Sequence, residues 1–231
     1  MARHLGEKHV TWVLKCLDNK REGYFIDIGA HDGTSSNNTY LLERDYGWSG
    51  VCVEPNPFPP LTRVFTKLQA RRSCMCVHAA VFSSDGEVDF QVNQRHDCSG
   101  IVDASFHGQA IDEGENLQEK PTIIKVKSIT PTTLFKFCNC SNIIDYISID
   151  TEGSEYEILR VFPFNDYKVS LFQVEHNAQT ERDIDIQKRD NIRNLLTKHS
   201  YRLFNDPNEV YQGKGTECED WFIHNDLKCD L

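Results

Sequence analysis

From residue 24 onward, short apolar runs alternate with helical stripes, and that rhythm confines the chain to few architectures. Residues 24–28, 50–53, 75–82, 145–149 and 169–174 have the length and apolar density of buried strands. Between and after them, residues 36–44, 61–70, 132–137, 154–161 and 186–199 carry helical patterns, the 154–161 helix with Ser154 as its expected cap. Such alternation builds a mostly parallel sheet covered by helices on both faces, an α/β doubly wound fold. Two late strands, 201–204 and 220–223, with a short connection, imply an antiparallel edge. A turn at 83–86 leads into a strand at 87–92 that should pair with 123–126. A polar stretch, 93–121, interrupts the rhythm as an insertion. Residues 7–19, within an N-terminal segment of residues 1–22, carry a helical stripe of Val10, Trp12, Val13, Leu14 and Leu17. One domain over 1–231 is expected.

The formal charge of −10 disfavours a nucleic-acid backbone or an anionic membrane as main partner. The Arg71-Arg72 pair is expected to be solvated surface. No apolar run reaches the ~20 residues of a membrane helix, and the N-terminus is too polar for a signal peptide. The nine cysteines are an odd number, read as reduced thiols in a cytoplasmic protein rather than a disulfide framework.

In folds of this class ligands sit beyond the carboxyl ends of the strands. Those ends read Asp27-Ile28-Gly29-Ala30, Glu54-Pro55-Asn56, His78-Ala79-Ala80, Asp150-Thr151-Glu152-Gly153 and Glu175-His176-Asn177. The first turn, Gly29-Ala30-His31-Asp32-Gly33, has glycines for close backbone approach but acids where a phosphate cradle would want none. Glu54 is placed to accept both hydroxyls of a ribose. A phosphate-free nucleoside carrying an ammonium and a sulfonium, S-adenosylmethionine, fits this set better than a dinucleotide. Asp27 would hold the ammonium.

The stretches "GYFIDIGAHDGTSSNNTYLLERDYGWSGVCVEPNP" and "DYISIDTEGSEYEIL" resemble the FkbM-type methyltransferase family. Similarity runs from about Gly23 through His176. The resemblance implies a Rossmann-like class I methyltransferase fold and methyl transfer to a hydroxyl oxygen, with carbohydrates or glycosylated small molecules as acceptors. It places Asp27, Gly29, Gly33 and Asn38 at the methionine end of the cofactor, with Ala30 a further cofactor-binding residue. Glu54 goes to the ribose, His78 and Ala79 to the adenine flank, and Asp97 to the adenine amino group, with Asn56 a further cofactor-binding residue. The segment Leu5-Gly6-Glu7-Lys8 departs from the family's usual entry.

A sugar hydroxyl is a weak acid, so methylation needs a base or a metal ion near it. Asp150 and Glu175, from adjacent strand ends, are candidate oxygen ligands for Mg²⁺. His176 is a candidate base and further ligand, and Glu152 a second base or acceptor-binding group. Alternatively, Asp150 and Glu152 shape a turn while Glu175 and His176 form a buried pair. The polar segment 103–121 is a candidate acceptor lid. Two other functions remain open at this point: a cofactor-binding protein without transfer activity, and a nicotinamide-dependent oxidoreductase, which the missing phosphate turn disfavours.

Overall fold

The computed structural model describes residues 2–35, 37–57, 62–93, 98–102, 121–204 and 218–229, with side chains from residue 8 onward. In chain order the strands are β1 (Tyr24–Ile28), β2 (Ser49–Val53), β3 (Met75–Val77), β4 (Ala80–Val81), β5 (Gly86–Val92), β6 (Gly100–Ile101), β7 (Thr122–Ile129), β8 (Ile143–Ile149), β9 (Lys168–Glu175), β10 (Tyr201–Leu203) and β11 (Glu219–His224). The helices are α1 (Ala2–Cys16), α2 (Tyr40–Tyr46), α3 (Val64–Arg71), α4 (Pro131–Phe137), α5 (Glu155–Leu159) and α6 (Asp183–Lys198).

Seven strands form the main sheet in the order β3-β2-β1-β8-β9-β11-β10. The first five are parallel. β11 runs antiparallel to both of its neighbours, so β10 forms the edge. The chain winds outward from β1 to β3, then returns to β8 on the other side of β1. That reversal makes the β1/β8 boundary the topological switch point, where a crevice opens above the strand ends.

Alternate residues on each strand serve opposite faces. On one face Ile26, Ile28, Ile147, Ile149, Phe172 and Val174 pack under Leu134 and Phe135 of α4, Ile158 of α5, and Ile192 and Leu196 of α6. On the other, Phe25, Cys52, Tyr146, Leu171 and Trp221 meet Trp12 and Val13 of α1, Leu42 of α2, and Phe65 and Leu68 of α3. The result is a three-layer α/β sandwich, as the resemblance implied.

The expected strand at 75–82 is two strands in two sheets. β3 completes the main sheet, whereas β4 joins a smaller sheet ordered β4-β7-β5-β6. The apolar run is continuous in sequence, so periodicity alone does not show where the backbone changes partner; it does so at His78-Ala79. The small sheet has its own core of Ala80, Phe90, Val92, Ile101 and Val126. The expected pairing of 87–92 with 123–126 is present and longer, from Gly86↔Ser128 to Val92↔Thr122.

Two local expectations need correction. Ser154 precedes α5 but makes no side-chain cap, its hydroxyl bonding to Thr151 Oγ1 at 2.9 Å instead. The helix near the N-terminus stops at Cys16, short of residue 19, because Asp18 and Asn19 take left-handed backbone angles, φ 51° and 54°. No helix among the described residues is long and apolar enough to cross a membrane.

Candidate functional site

Strand register levels the carboxyl edge. Val77, Val53, Ile28, Ile149 and Val174 form one row across β3-β2-β1-β8-β9. One residue further on stand His78, Glu54, Gly29, Asp150 and Glu175. Parallel pairing without slippage therefore collects these five residues on one rim.

A cavity of about 210 Å³ lies against that rim. Its walls include Gly29 and His31 from the first turn, Glu54 and Asn56 after β2, Ala79 and Val81 around the sheet switch, and Asp150, Thr151 and Glu152 after β8. Phe90, Cys98, Ser99 and Ile101 from the small sheet close one side. At Gly29 the backbone has φ +90°, and an added Cβ would lie 1.7 Å from the Asp150 carbonyl oxygen. Only glycine permits that approach of β1 to β8.

Glu54 is held in place by the chain around it. Its Oε2 accepts from the His31 amide at 2.8 Å, and its Oε1 accepts from the Asn56 amide at 2.8 Å and from Asn56 Nδ2 at 2.9 Å. Asp32 occupies the rest of the turn, its Oδ1 accepting from the amides of Thr34 at 3.1 Å and Ser35 at 2.8 Å. The amides of His31, Thr34 and Ser35 thus all point at carboxylates, which is the opposite of a phosphate cradle.

Asp27 and Asp32 do not line the cavity. Asp27 lies on the strand face opposite Ile26 and Ile28, where it accepts from Asn37 Nδ2 at 2.8 Å and Thr39 Oγ1 at 2.7 Å. The Arg72 guanidinium is 4.0 Å away. Burial pushes the Asp27 carboxyl above its usual range, although Arg72 and these donors oppose the shift. Arg72 is itself fully buried and also binds Glu43, Asn37 and Thr39, so it is a core cation rather than solvated surface. Asp32 pairs with Arg71 at 2.5 Å.

Other expected cofactor residues are likewise set back from the cavity wall. Ala30 is buried in the α1–α3 face. An added Cβ at Gly33 would meet Leu68 Cδ1 at 2.8 Å and Arg72 Cγ at 2.9 Å, so this glycine serves packing under α3. Asn38 accepts from His9 Nδ1 at 2.6 Å and donates to Ser148 Oγ at 2.9 Å. His78 donates from Nε2 to the Asn56 carbonyl at 3.0 Å and packs on Phe65. Asp97 and residues 103–120 of the expected lid lie outside the described residues.

On the β8/β9 side, Asp150, Glu152 and Glu175 bring carboxylate oxygens within 4.8 Å of one another. Burial, then repulsion from Glu155, pushes the Asp150 carboxyl up to about 7, while a hydrogen bond with Glu175 opposes that rise. Burial and the charges of Asp150 and Glu152 drive Glu175 well above its ordinary value. Crowded carboxyls of this kind share protons and titrate as a group.

His176 does not join them. Neighbouring residues of a strand point to opposite faces, and Glu175 takes the side of Asp150 and Glu152. His176 Nδ1 accepts from the Ala178 amide at 3.1 Å, which puts the ring proton on Nε2, 3.6 Å from Asp220 Oδ1. Asp220 is in turn gripped by Arg193 at 2.6 and 2.8 Å. This geometry sets His176 apart from the carboxylates, and the three groups brought together are Asp150, Glu152 and Glu175.

Glu155, the last acid of Asp150-Thr151-Glu152-Gly153-Ser154-Glu155, organises that turn. Its Oε1 accepts from the amides of Thr151 at 2.9 Å and Gly153 at 3.0 Å, and Lys188 Nζ lies 3.2 Å from its Oε2. The turn leaves Glu152 at φ 61°, a left-handed conformation uncommon for a non-glycine residue. Sequence reasoning assigned no role to His31, Thr151, Ser99, Phe90 or Ile101. His31 stood inside the glycine turn, but nothing in sequence placed the small sheet over the cavity.

The Methyltransferase FkbM domain profile matches residues 27–203. No curated protein matches the chain. Among solved structures, a METTL16 methyltransferase domain is similar at 11% identity and TM-score 0.45, over 94% of this chain and 66% of that one. This chain thus spans just under two thirds of that solved chain's length. The plantazolicin methyltransferase BpumL, solved with a triazolic desmethylPZN analog and SAH, is similar at 9% identity and TM-score 0.46, over 97% and 85%. A precorrin-6y C5,15-methyltransferase from Geobacter metallireducens is similar at 11% identity and TM-score 0.40, over 94% and 86%. With more than half of its length matched, the chain belongs to the FkbM methyltransferase domain family.

Proposed function

We propose that this protein transfers a methyl group to a hydroxyl oxygen of a sugar, in a glycan or a glycosylated small molecule. The observation that carries the proposal is the carboxylate group Asp150, Glu152 and Glu175 on the cavity rim, on the side away from Glu54. Proton acceptors stand there, where a neutral hydroxyl must lose its proton.

The cavity suits an adenosyl cofactor in its apolar wall and its acceptor groups. Ile28, Val53, Val81 and Phe90 offer apolar wall for a purine, and Glu54 presents an acceptor for a ribose hydroxyl. When bound, S-adenosylmethionine supplies an electrophilic methyl group. The chain then has to orient the acceptor hydroxyl, exclude water and take its proton. Glu155 holds the 151–153 turn, and through it the direction of Glu152. The Asp150–Glu175 side would receive the proton.

The same three carboxylates are hard oxygen donors of the kind Mg²⁺ takes, and would supply Lewis-acid polarisation through it. In this reading Asp150, Glu152 and Glu175 hold the ion. Activity lost in EDTA and restored by magnesium supports the metal; activity indifferent to chelation assigns deprotonation to the carboxylates alone.

The deciding experiment is transfer of a labelled methyl group from S-adenosylmethionine to a panel of sugars and glycosides, beside calorimetry with S-adenosylhomocysteine. Labelled sugar product is the expected result. Cofactor binding with no transfer to any hydroxyl acceptor would mark a binding protein and overturn the proposal.

A further inference from the structure

We infer that Cys16 and Cys229 form a disulfide that fastens the N-terminal helix to the C-terminal segment. Cys16 is the last residue of α1, and Cys229 lies beyond β11. Their sulfur atoms are 2.7 Å apart although 213 positions separate them in sequence. That is closer than two unbonded sulfurs rest, and a small adjustment reaches the ~2.05 Å of a disulfide.

The backbone around Cys229 is already tied down. The Leu227 amide donates to the His224 carbonyl at 2.9 Å, and Arg202 Nη2 donates to the Leu227 carbonyl at 3.1 Å. Leu227 and Cys229 pack on the same apolar cluster that holds Val13 and Leu14 of α1. Both segments are thus held where the two sulfurs meet. By contrast, the Cys52 and Cys74 sulfurs stand 3.5 Å apart, an ordinary contact between neighbouring chain segments.

The chemistry balances with a small disulfide such as oxidised glutathione as oxidant. Cys16 is buried and Cys229 is half-buried, so Cys229 is the accessible nucleophile. Burial raises the Cys16 thiol, which disfavours it as the first attacker. The Cys229 thiolate attacks one glutathione sulfur, forming a mixed disulfide and releasing one glutathione thiolate. The Cys16 thiolate then attacks the Cys229 sulfur, forming the protein disulfide and releasing the second glutathione. Two protein thiols are oxidised, the glutathione disulfide is reduced, and the two protons end on the released thiols. The staple would secure α1, whose Trp12 stacks on Trp221 of β11 at 4.8 Å and whose His9 binds both Asn38 and Glu219.

The test uses the full chain equilibrated with oxidised glutathione, alkylated and mapped by peptide mass. The expected result is one reducible peptide pair joining Cys16 to Cys229, with a mass deficit of two hydrogens. Closing so long a loop should lift Tm by about 10 °C, a gain lost on adding dithiothreitol. A Cys229→Ser chain should show neither the linked pair nor the reductant-sensitive Tm. Alkylation of both residues after oxidation, linkage of either one to another cysteine, or a linked pair without a Tm change would overturn the inference. Mapping the unaltered chain decides the linkage even if a Cys16→Ser chain fails to fold. Methyl-transfer activity enters none of these readouts.

Discussion

Glu54→Gln is the sharpest probe of the cofactor edge, because the structure limits what the carboxylate can still accept. A carboxylate offers about four acceptor positions, two on each oxygen. Oε1 is filled by the Asn56 amide and Nδ2, and Oε2 already takes the His31 amide. About one position is left for a ligand, so with Asn56 in place Glu54 accepts one ribose hydroxyl rather than the expected two. A hydrogen bond to a charged group is worth ~1.5–3 kcal/mol, so the substitution should weaken S-adenosylhomocysteine roughly 10- to 150-fold. Glutamine also turns an amide group toward donors it cannot satisfy, which disturbs the turn whatever the ligand. Calorimetry should therefore compare S-adenosylhomocysteine with its 2′,3′-dideoxy analogue on both proteins. The expected outcome is a loss confined to the hydroxyl-bearing ligand. Equal weakening of both ligands, or no weakening of either, would refute the claim that Glu54 binds the ribose.

Gly29→Ala should destabilise the chain by about 3 kcal/mol or more in urea unfolding, because its Cβ meets the Asp150 carbonyl at 1.7 Å and cannot move without parting β1 from β8. Lys188→Met leaves the buried Glu155 without its cation and should cost about 3–5 kcal/mol in the same assay, with much of the loss recovered by adding Glu155→Gln. Stability should also depend on pH through His9 and Glu219. Burial pulls the His9 pKa down, but Glu219, Asn38 and Asp150 raise it overall above 6.5. Burial pushes Glu219 up, but His9, Trp221 and Gln173 bring it below 4.5. The His9 contribution is complete below pH 6.5 and fades as pH rises through its raised folded value. That of Glu219 is complete above pH 4.5 and fades as pH falls through its lowered folded value. Unfolding free energy should therefore peak between those limits, and His9→Gln should flatten both limbs; unchanged limbs would discount the pair.

The rim was legible in sequence because parallel strands in register convert chain position into spatial position. Gly29, Glu54, Asp150 and Glu175 each follow the last apolar residue of a strand, and pairing without slippage sets them side by side. Side-chain direction was legible only where period-two alternation was applied. Asp27 precedes Ile28 and so faces the α1–α3 layer, and His176 follows Glu175 and so turns away from it. The division of 75–82 between two sheets was not legible, because β4 is specified by its partner Ser128-Ile129, far along the chain. For the same reason the small sheet's contribution to the cavity, from Phe90 to Ile101, carried no local signal. Arg72 looked like surface because the acids that hold it, Asp27 and Glu43, come from other elements.

The acids near the strand ends therefore divide by partner. Asp27 and Asp32 stand beside Arg72 and Arg71, and Glu155 beside Lys188; each shapes a turn with its charge offset by a cation. Glu54 is held by neutral amide groups, and Asp150, Glu152 and Glu175 chiefly crowd one another. Glu54, Asp150 and Glu152 thus line the cavity together, with Glu175 beside them. Coulomb repulsion at such short range disfavours a pyrophosphate and favours a ligand that brings positive charge and hydroxyl donors. The same crowding explains why the β8/β9 side suits an acceptor. Carboxyls forced together bind their first shared proton tightly, and the member left ionised is the group that can take the proton of a hydroxyl brought to that edge.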